Sequence, residues 1–314
     1  MTELNFISGD SAPPYRLLIL GGSGFIGQNS VKNALQKGWR VTSISRERQH
    51  WQNHPLLEKK CVDLTKRRDI SNFLSNNKFD YVVDCSGYVN HSPLHQKGRR
   101  VLTDQVTSLL NIIESLDQET LKCFLTIGSS DEYGDTQVPQ FERYREHPIA
   151  PYSLGKVFGT HLIQMLHRTE QFPGVALRLF LTYGPNQNIE RFVPQIIKGC
   201  LSGKDFPVSE GKQLRDLCFI DDVVEAIFAA LLNPQTHGHV INIGSGHPVE
   251  IRSLINKVVR LIGQGKPKFG ALPYRPGEPM ELFPDLTKAS ELLNWRAQTS
   301  LDSGLEKTIQ AFLP

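Results

Sequence analysis

The chain has 314 residues, of which 39% are hydrophobic and 21% are charged, and its formal net charge is +3. That length allows one large α/β unit or two closely joined domains, with a substantial core in either case. A charge this small gives no electrostatic reason to expect nucleic acid as a partner.

The five cysteines are scattered and show no CxxC spacing, so we expect no metal site and no disulfide framework. No apolar run approaches the roughly 18 residues that span a bilayer, and no leader pattern is recognised, so we expect a cytoplasmic protein without membrane contact. Residues 1–14 are interpreted as an N-terminal extension that ends at Pro13 and Pro14.

The predicted elements alternate between strand and helix up to residue 180. In chain order, strands are predicted at residues 15–20, 39–45, 60–62, 80–84, 123–127 and 175–180, and helices at 25–37, 101–116 and 153–169. Such alternation is typical of a doubly wound parallel (Rossmann) sheet with helices on both faces.

Prolines interrupt shorter elements beyond residue 183, and one further strand is predicted at 239–243. The rest is predicted to form a smaller C-terminal mixed α/β lobe that binds the substrate. We assign residues 15–180, with about 216–244, to the dinucleotide-binding domain. Residues 181–215 and 245–314 are assigned to the substrate lobe.

The segment GGSGFIG, at residues 21–27, stands between the first predicted strand and the first predicted helix. Glycines at this spacing let the backbone turn tightly and approach a pyrophosphate, and the helix N-terminus offers free N–H groups to it. This context favours a dinucleotide site over a glycine-rich turn without a ligand. The predicted cofactor contacts here are Gly21, Ser23, Gly24, Phe25, Ile26 and Gly27.

The end of the second predicted strand indicates which cofactor binds. An NAD site places a carboxylate about 20 residues after the glycine segment, but Ser45 stands here, followed by Arg46 and Arg48. Guanidinium groups suit a 2′-phosphate, so NADP(H) is favoured, and NAD(H) with Glu47 on the ribose stays open. Two residues after the third strand, Asp63 and Leu64, are expected near the adenine.

Tyr152 and Lys156 stand four residues apart at the start of a predicted helix and therefore share one face. A neighbouring ammonium favours the phenolate form of a phenol that is otherwise a poor base at neutral pH. Ser129 follows the fifth strand, at the sheet edge where doubly wound folds bind ligands, and can polarise a carbonyl. We predict that all three residues are catalytic and that Tyr152 and Lys156 also contact the cofactor.

Together with GGSGFIG, the segments IGSSDEYG (127–134) and YSLGK (152–156) resemble the extended short-chain dehydrogenase/reductases. More narrowly, they resemble the nucleotide-sugar epimerase, dehydratase and 4-keto-reductase group, with GKQLRD (211–216) and RPGE (275–278) as later matches. The resemblance implies a nucleotide-diphosphate sugar as substrate and a homodimer. It also implies cofactor contacts at Ser86 and Gly87, and substrate contacts at Ser129, Ser130, Asp131, Asn90, Arg215 and Arg275.

Two departures from the group's pattern bear on the reaction. Leu181 replaces an asparagine, and Asp131 replaces the longer carboxylate that removes a proton in the 4,6-dehydratases. With the arginines after the second strand, this favours an NADPH-dependent reductase of the 4-keto group of a nucleotide-linked 4-keto-6-deoxy-hexose. A redox-neutral 4-epimerase, 4,6-dehydratase or decarboxylase with bound NAD stays open, as does a non-catalytic NADP-binding protein. For Arg215, pairing with a carboxylate is the alternative to a phosphate contact.

Overall fold

The computed structural model of the protein describes residues 15–47, 52–275 and 277–313. The extension at 1–14 and Arg48 therefore lie outside the described residues. The first half of the chain alternates strands and helices: β1 (Arg16–Leu20), α1 (Phe25–Gln36), β2 (Arg40–Ser45), β3 (Leu57–Cys61), α2 (Arg67–Leu74), β4 (Tyr81–Asp84), α3 (Arg99–Ser115), β5 (Cys123–Ser129), α4 (Pro151–Glu170) and β6 (Gly174–Leu179).

The second half contains shorter elements. They are β7 (Leu181–Tyr183), α5 (Phe192–Leu201), β8 (Asp205–Pro207), β9 (Leu214–Phe219), α6 (Ile220–Leu231), β10 (Val240–Ile243), β11 (Pro248–Glu250), α7 (Ile251–Ile262), β12 (Lys266–Lys268), β13 (Glu281–Leu282), α8 (Thr287–Leu293) and α9 (Leu301–Gln310).

Among the described strands, seven form one parallel sheet in the order β10-β6-β5-β4-β1-β2-β3. The chain order reverses between β1 and β4, which is the place where doubly wound sheets bind ligands. The predicted doubly wound fold is therefore confirmed, and the strand predicted at 239–243 joins this sheet as β10.

The core lies on both faces of this sheet. Leu17 and Ile19 of β1 belong to one buried cluster, and Leu18 and Leu20 belong to the other. This alternation follows from the two-residue period of a strand, and each fully buried side chain contributes roughly 1.5–3 kcal/mol. A strand that is apolar on both sides must lie in the middle of the sheet, as β1 does between β4 and β2.

The remaining strands build the smaller mixed lobe. β9 pairs with β11 in antiparallel and with β7 and β13 in parallel orientation, and β8 pairs with β12. The predicted mixed lobe is confirmed. Two buried carboxylates connect it to the rest: Asp216 accepts the N–H groups of Ser245 and Gly246, and Asp222 accepts those of Gln298 and Thr299.

Three elements differ from the prediction. β3 begins three residues earlier than predicted, because it follows the register of β2 from Val41 to Ser45 rather than its own apolar residues. Helix α2 was not predicted, since its buried residues are only Ile70 and Leu74 in an otherwise polar segment. Helix α4 begins two residues early at Pro151, a residue that suits the first helical position.

A pH dependence of stability follows from His237 and His239 at the start of β10. Burial lowers the pKa of both imidazoles below the ordinary value of 6.5, and the nearby His167 lowers each of them further. The unfolded chain therefore binds protons at these sites before the folded chain does, and stability is lost as the pH falls below about 6.5. We expect the denaturant midpoint to fall less between pH 7.5 and 5.5 in a His237→Gln variant than in the wild type.

The matched control is His247→Gln, because His247 is exposed. Equal midpoint shifts in the wild type and the His237→Gln variant would contradict the assignment.

Candidate active site

The turn after β1 is shaped for the close approach of a ligand. Gly21 has φ +76°, a left-handed conformation that favours glycine, and its N–H and that of Gly22 donate to the Ile44 carbonyl at 2.9 and 3.0 Å. A Cβ at Gly27 would lie 2.3 Å from the Gly21 oxygen. Helix α1 therefore starts directly at the turn, and no side chain caps its first N–H groups, which leaves them available to an anion.

A cavity of about 190 Å³ opens at this edge of the sheet, beside the turn. Its lining includes these residues predicted to contact the cofactor: Gly21, Ser23, Gly24, Ser45, Arg46, Asp63, Leu64, Ser86, Gly87 and Lys156. The predicted contacts Phe25, Ile26, Gly27 and Tyr152 are not part of this lining. The side chains of Phe25 and Ile26 pack against the hydrophobic core.

The end of β2 brings a guanidinium to the cavity and no carboxylate. The Arg46 guanidinium carbon lies 5.7 Å from the ring centroid of Tyr88, and both residues line the cavity. The Ser45 hydroxyl donates to the Glu47 carbonyl, and Glu47 is not part of the lining. The Asp63 carboxylate accepts from the backbone N–H and hydroxyl of Thr65, so it shapes a turn beside the cavity.

Gln105 of α3 is a cavity residue that the sequence analysis missed. Both polar atoms of its side chain are buried without a protein partner, and it lines the cavity. A Cβ at Gly155 would lie 2.0 Å from the Gln105 Oε1 atom, so α4 leaves room for this amide. Unpartnered buried polar atoms beside a glycine turn fit a dinucleotide, whose amide and hydroxyl groups would satisfy them. Helix periodicity alone cannot single out this residue.

Tyr152 and Lys156 lie in the first turns of α4, as predicted, and their different environments define their roles. Tyr152 is 6% exposed, and the Ser129 side chain lies close enough to act on the pKa of its hydroxyl. Burial raises the pKa of Tyr152, the Asp131 charge raises it further, and the Ser129 side chain lowers it. The Lys156 ammonium lies 6.0 Å from the phenol ring centroid and donates to the Ile127 carbonyl at 2.7 Å.

The Lys156 ammonium was expected to act on the Tyr152 phenol, but its hydrogen bond in this structure goes to the Ile127 carbonyl. Burial lowers the pKa of Lys156, and the carboxylates of Asp84 and Glu132 raise it. Asp84 is itself a lining residue at the end of β4, and it accepts the Ser86 N–H at 2.9 Å. Lys156 thus lines the cavity with its pKa lowered by burial, and the carboxylates of Asp84 and Glu132 oppose that shift.

Asp131 and His91 form a pair next to the phenol. The Nε2 atom of His91 lies 2.8 Å from Oδ2 of Asp131, and its ring centroid is 5.6 Å from that of Tyr152. The backbone N–H of Asp131 also donates to the Ser129 Oγ atom at 3.1 Å. Four polar side chains therefore come together here: His91 from the loop after β4, Ser129 from the end of β5, Asp131 from the turn after it, and Tyr152 from α4.

The arrangement of Ser129 depends on Glu132, a buried carboxylate that the sequence analysis did not single out. Its Oε1 atom accepts the Ser129 N–H at 2.8 Å, and its Oε2 atom accepts from Arg178 Nε at 2.8 Å and from the Thr160 hydroxyl at 2.9 Å. The side chains of Glu132 and Arg178 are fully buried, and Arg178 also pairs with Glu146. These contacts join β5, β6 and α4 at one point.

Two of the remaining predicted substrate residues, Arg215 and Asn90, have protein partners. Arg215 donates to Glu278 at 2.9 Å and to the Pro279 carbonyl at 2.8 Å, so the structure shows the carboxylate pairing that stood as its alternative. Arg275 is exposed. The Asn90 side chain accepts the Ser92 N–H at 2.8 Å, and Ser130 is buried. Of the predicted substrate residues, only Ser129 and Asp131 are thus shown beside Tyr152.

The described residues contain no cluster of three His, Cys, Asp or Glu side chains placed to hold a metal ion. No helix in the described part of the chain is long and apolar enough to cross a membrane.

Comparison with known proteins identifies the class. Residues 17–244 match the NAD dependent epimerase/dehydratase family, and the chain belongs to this family of nucleotide-sugar enzymes. It is 30% identical over 208 residues, 65% of either chain, to an uncharacterized UDP-glucose epimerase of Bacillus subtilis. It is 24% identical to a dTDP-glucose 4,6-dehydratase of Haemophilus influenzae, over 95% of this chain and 97% of that protein.

Solved structures agree on the fold. The UDP-glucuronic acid 4-epimerase of Bacillus cereus, solved with UDP-glucuronic acid and NAD, matches with a TM-score of 0.86 and 26% identity over 94% of this chain and 98% of that chain. The UDP-glucose 4-epimerase of Thermotoga maritima matches with a TM-score of 0.88 and 23% identity over 95% and 98%.

We expect Glu132→Gln to destabilise the protein by about 3–5 kcal/mol, because it leaves the buried Arg178 charge without its full partner. The measurement is the free energy of unfolding in urea at neutral pH.

The same substitution at an exposed pair supplies the control. Glu210 pairs with Arg252 at 2.9 Å on the surface, and Glu210→Gln is expected to change stability by less than about 1 kcal/mol. Similar losses in the two variants would show that Glu132 is not a structural junction.

Proposed function

We propose that this protein catalyses a redox-neutral conversion, most simply a 4-epimerisation, at C4 of a nucleotide-diphosphate sugar. The observation that carries the proposal is the position of Tyr152 on α4: it lies one helical turn before Lys156, which lines the cavity beside the GGSGFIG turn, and it is close to the Ser129 side chain. A phenol, a hydroxyl and an ammonium so placed suit hydride transfer at a carbon that bears oxygen.

Tyr152 acts as the acid–base group at the C4 oxygen. It removes the hydroxyl proton as C4 is oxidised to the ketone, and it returns the proton when the ketone is reduced from the other face. A dinucleotide held by the GGSGFIG turn and Lys156 would supply the hydride chemistry at C4. Ser129 donates a hydrogen bond to the same oxygen, and Lys156 holds the nicotinamide ribose and favours the phenolate once the cofactor fills the cavity.

The relatives support a redox-neutral reaction better than the net reduction of a 4-keto-6-deoxy-hexose that the sequence favoured. The relatives named above are epimerases and a 4,6-dehydratase. The two solved structures contain UDP-glucose or UDP-glucuronic acid. A nucleotide-diphosphate sugar is accordingly the proposed substrate, with residues 181–215 and 245–314 as its lobe. Arg215 and Arg275 would bind the diphosphate. The Arg215 guanidinium would then either leave Glu278 or contact Glu278 and the diphosphate together.

A 4,6-dehydratase reaction needs a base at the carbon next to C4. At the sequence position of the dehydratase base this chain has Asp131, whose carboxylate is paired with His91 in the structure. Glu132 is unsuited to the role, because its carboxylate is fully buried against Arg178.

The second candidate is the NADPH-dependent 4-keto reductase, and the end of β2 favours it. Ser45 replaces the expected carboxylate, and Arg46 reaches the cavity over Tyr88. A guanidinium there suits the 2′-phosphate of NADP(H), although the related UDP-glucuronic acid 4-epimerase was solved with NAD. We propose NADP(H) as the preferred cofactor in either reaction.

We further propose a cytoplasmic homodimer that associates through α3 and α4. Both helices present apolar side chains to the surface: Leu110 is 36% exposed, Leu154 47% and Met165 39%. Helices that already pack on each other can extend into a bundle with a second copy.

Replacing Tyr152 by phenylalanine is expected to lower kcat by about 10²- to 10⁴-fold, because the acid–base group is lost while the ring and its packing remain. Dinucleotide affinity should stay unchanged, since Tyr152 does not line the cavity. The assay follows interconversion of UDP-glucose, UDP-glucuronate and the corresponding dTDP, CDP and GDP sugars. Tyr144→Phe, a partly buried tyrosine beside Tyr133 and Phe180, is the control.

The same assays separate the two candidates. Sugar conversion without net change at the reduced-nicotinamide absorbance supports the epimerase, whereas stoichiometric loss of NADPH with a 4-keto sugar supports the reductase. A near-normal rate in Tyr152→Phe would reject both reactions, and dinucleotide binding without turnover on any of these sugars would favour a non-catalytic protein.

Arg46→Ser is expected to weaken NADP binding roughly tenfold or more and to leave NAD binding unchanged, because a charge-assisted hydrogen bond contributes about 1.5–3 kcal/mol. Calorimetric titration of both dinucleotides gives the ratio of affinities. Arg40→Ser, at the opposite end of β2, is the matched control. Unchanged NADP affinity in Arg46→Ser would argue for NAD.

A further inference from the structure

The His91–Asp131 pair lies in the candidate active site, beside the group formed by Ser129, Tyr152 and Lys156. The two residues come from different loops, His91 after β4 and Asp131 after β5. Their side chains are about one third exposed, at 36% and 32%, so a ligand can reach them. By contrast, the His147–Asp135 pair is 68% and 65% exposed on the surface.

The contact fixes how the imidazole carries its proton. An ionised carboxylate can only accept hydrogen bonds, so the His91 nitrogen that faces Asp131, Nε2, must carry the hydrogen. The other ring nitrogen, Nδ1, has no partner within the described part of the chain and keeps its lone pair in the neutral ring. A histidine oriented by a carboxylate in this way is the usual arrangement of a general base.

The pair also contacts Tyr152, the residue proposed to act at the C4 oxygen. The His91 ring meets the Tyr152 ring edge-on, at a 5.6 Å centroid separation and a 72° angle. Asp131 is close enough to both Tyr152 and Arg215 for its charge to act on each of them. A carbon adjacent to the one whose oxygen contacts Tyr152 is therefore within reach of the imidazole.

We propose that His91, oriented by Asp131, is a second proton-transfer group that acts on the carbon next to C4 of the sugar. The inference rests on the proposed function, because oxidation at C4 creates the ketone that makes the neighbouring C–H bond acidic. His91 then transfers the proton at the neighbouring carbon, which Tyr152 cannot do while it is bound to the C4 oxygen.

The step balances without a further reactant. Nδ1 takes the proton, the C–H electron pair forms a C=C bond to C4, and the ketone oxygen becomes an enolate oxygen stabilised by Tyr152 and Ser129. Return of a proton from Nδ1 to the same carbon restores the ketone. The His91 proton exchanges with water in between, so the carbon acquires solvent hydrogen.

The test uses the 4-keto-6-deoxyglucose derivatives of UDP, dTDP, CDP and GDP in D₂O, with the full chain and added dinucleotide. Proton NMR follows deuterium entry at C3 and C5, and absorbance follows reduction of the ketone by NADPH or NADH. His91→Gln is the informative variant, since its amide can still donate to Asp131 but cannot act as a base. We expect it to slow deuterium entry by about 100-fold or more, and by a clearly larger factor than it slows hydride transfer.

His147→Gln is the matched control, because it removes a histidine from the surface His–Asp pair. Deuterium entry at the wild-type rate in His91→Gln overturns the proposal. So does a wild-type protein that reduces the ketone without any deuterium entry, and in that case hydride transfer at C4, which both candidate functions require, still stands. Absence of both sugar binding and hydride transfer in the wild type overturns the proposed function and this inference together.

Discussion

The buried carboxylate of Glu132 is the contact on which the candidate site depends. One of its oxygens holds the backbone N–H of Ser129, and the other holds the Arg178 guanidinium and the Thr160 hydroxyl. Ser129 ends β5, Arg178 belongs to β6, and Thr160 lies two turns after Tyr152 on α4. A buried pair of this kind contributes little net stability, but it tolerates only one arrangement of the groups around it. It therefore fixes the serine relative to the phenol.

The electrostatics of the site indicate why a cofactor is needed for activity. Burial raises the pKa of Tyr152, and the ammonium of Lys156 is engaged with the Ile127 carbonyl. The protein alone thus holds the tyrosine as a neutral phenol. A dinucleotide in the cavity would add the hydroxyl groups through which Lys156 can act on the phenol, so binding and activation of the acid–base group are coupled.

Local sequence patterns predicted the parts of the site that depend on local structure. The glycine turn requires only a strand, a turn and a helix in succession, and the Tyr152–Lys156 spacing requires only one helix. The doubly wound sheet followed from the alternation of strands and helices. By contrast, Glu132 meets Arg178 across 46 positions, and His91 meets Asp131 across 40. Such partners are set by strand order, which residue spacing alone does not specify.

The dependence on strand order also explains the boundary of β3 and the carboxylate partner of Arg215, neither of which the sequence pattern predicted. β3 takes its register from β2, and Arg215 pairs with Glu278, 63 positions away, through the packing of β9 and β13. The sequence pattern assigned Arg215 to a phosphate because a guanidinium suits a phosphate and a carboxylate equally well. Residue patterns therefore identified the family, whereas the partners of the charged residues required the folded structure.

The most direct test of this account is a crystal structure with a dinucleotide and a nucleotide sugar bound. The account predicts that the dinucleotide runs from the GGSGFIG turn to Lys156, and that the Tyr152 hydroxyl lies within about 3.2 Å of the oxygen on C4. A dinucleotide bound outside this cavity, or a Tyr152 hydroxyl directed away from the sugar, would contradict it.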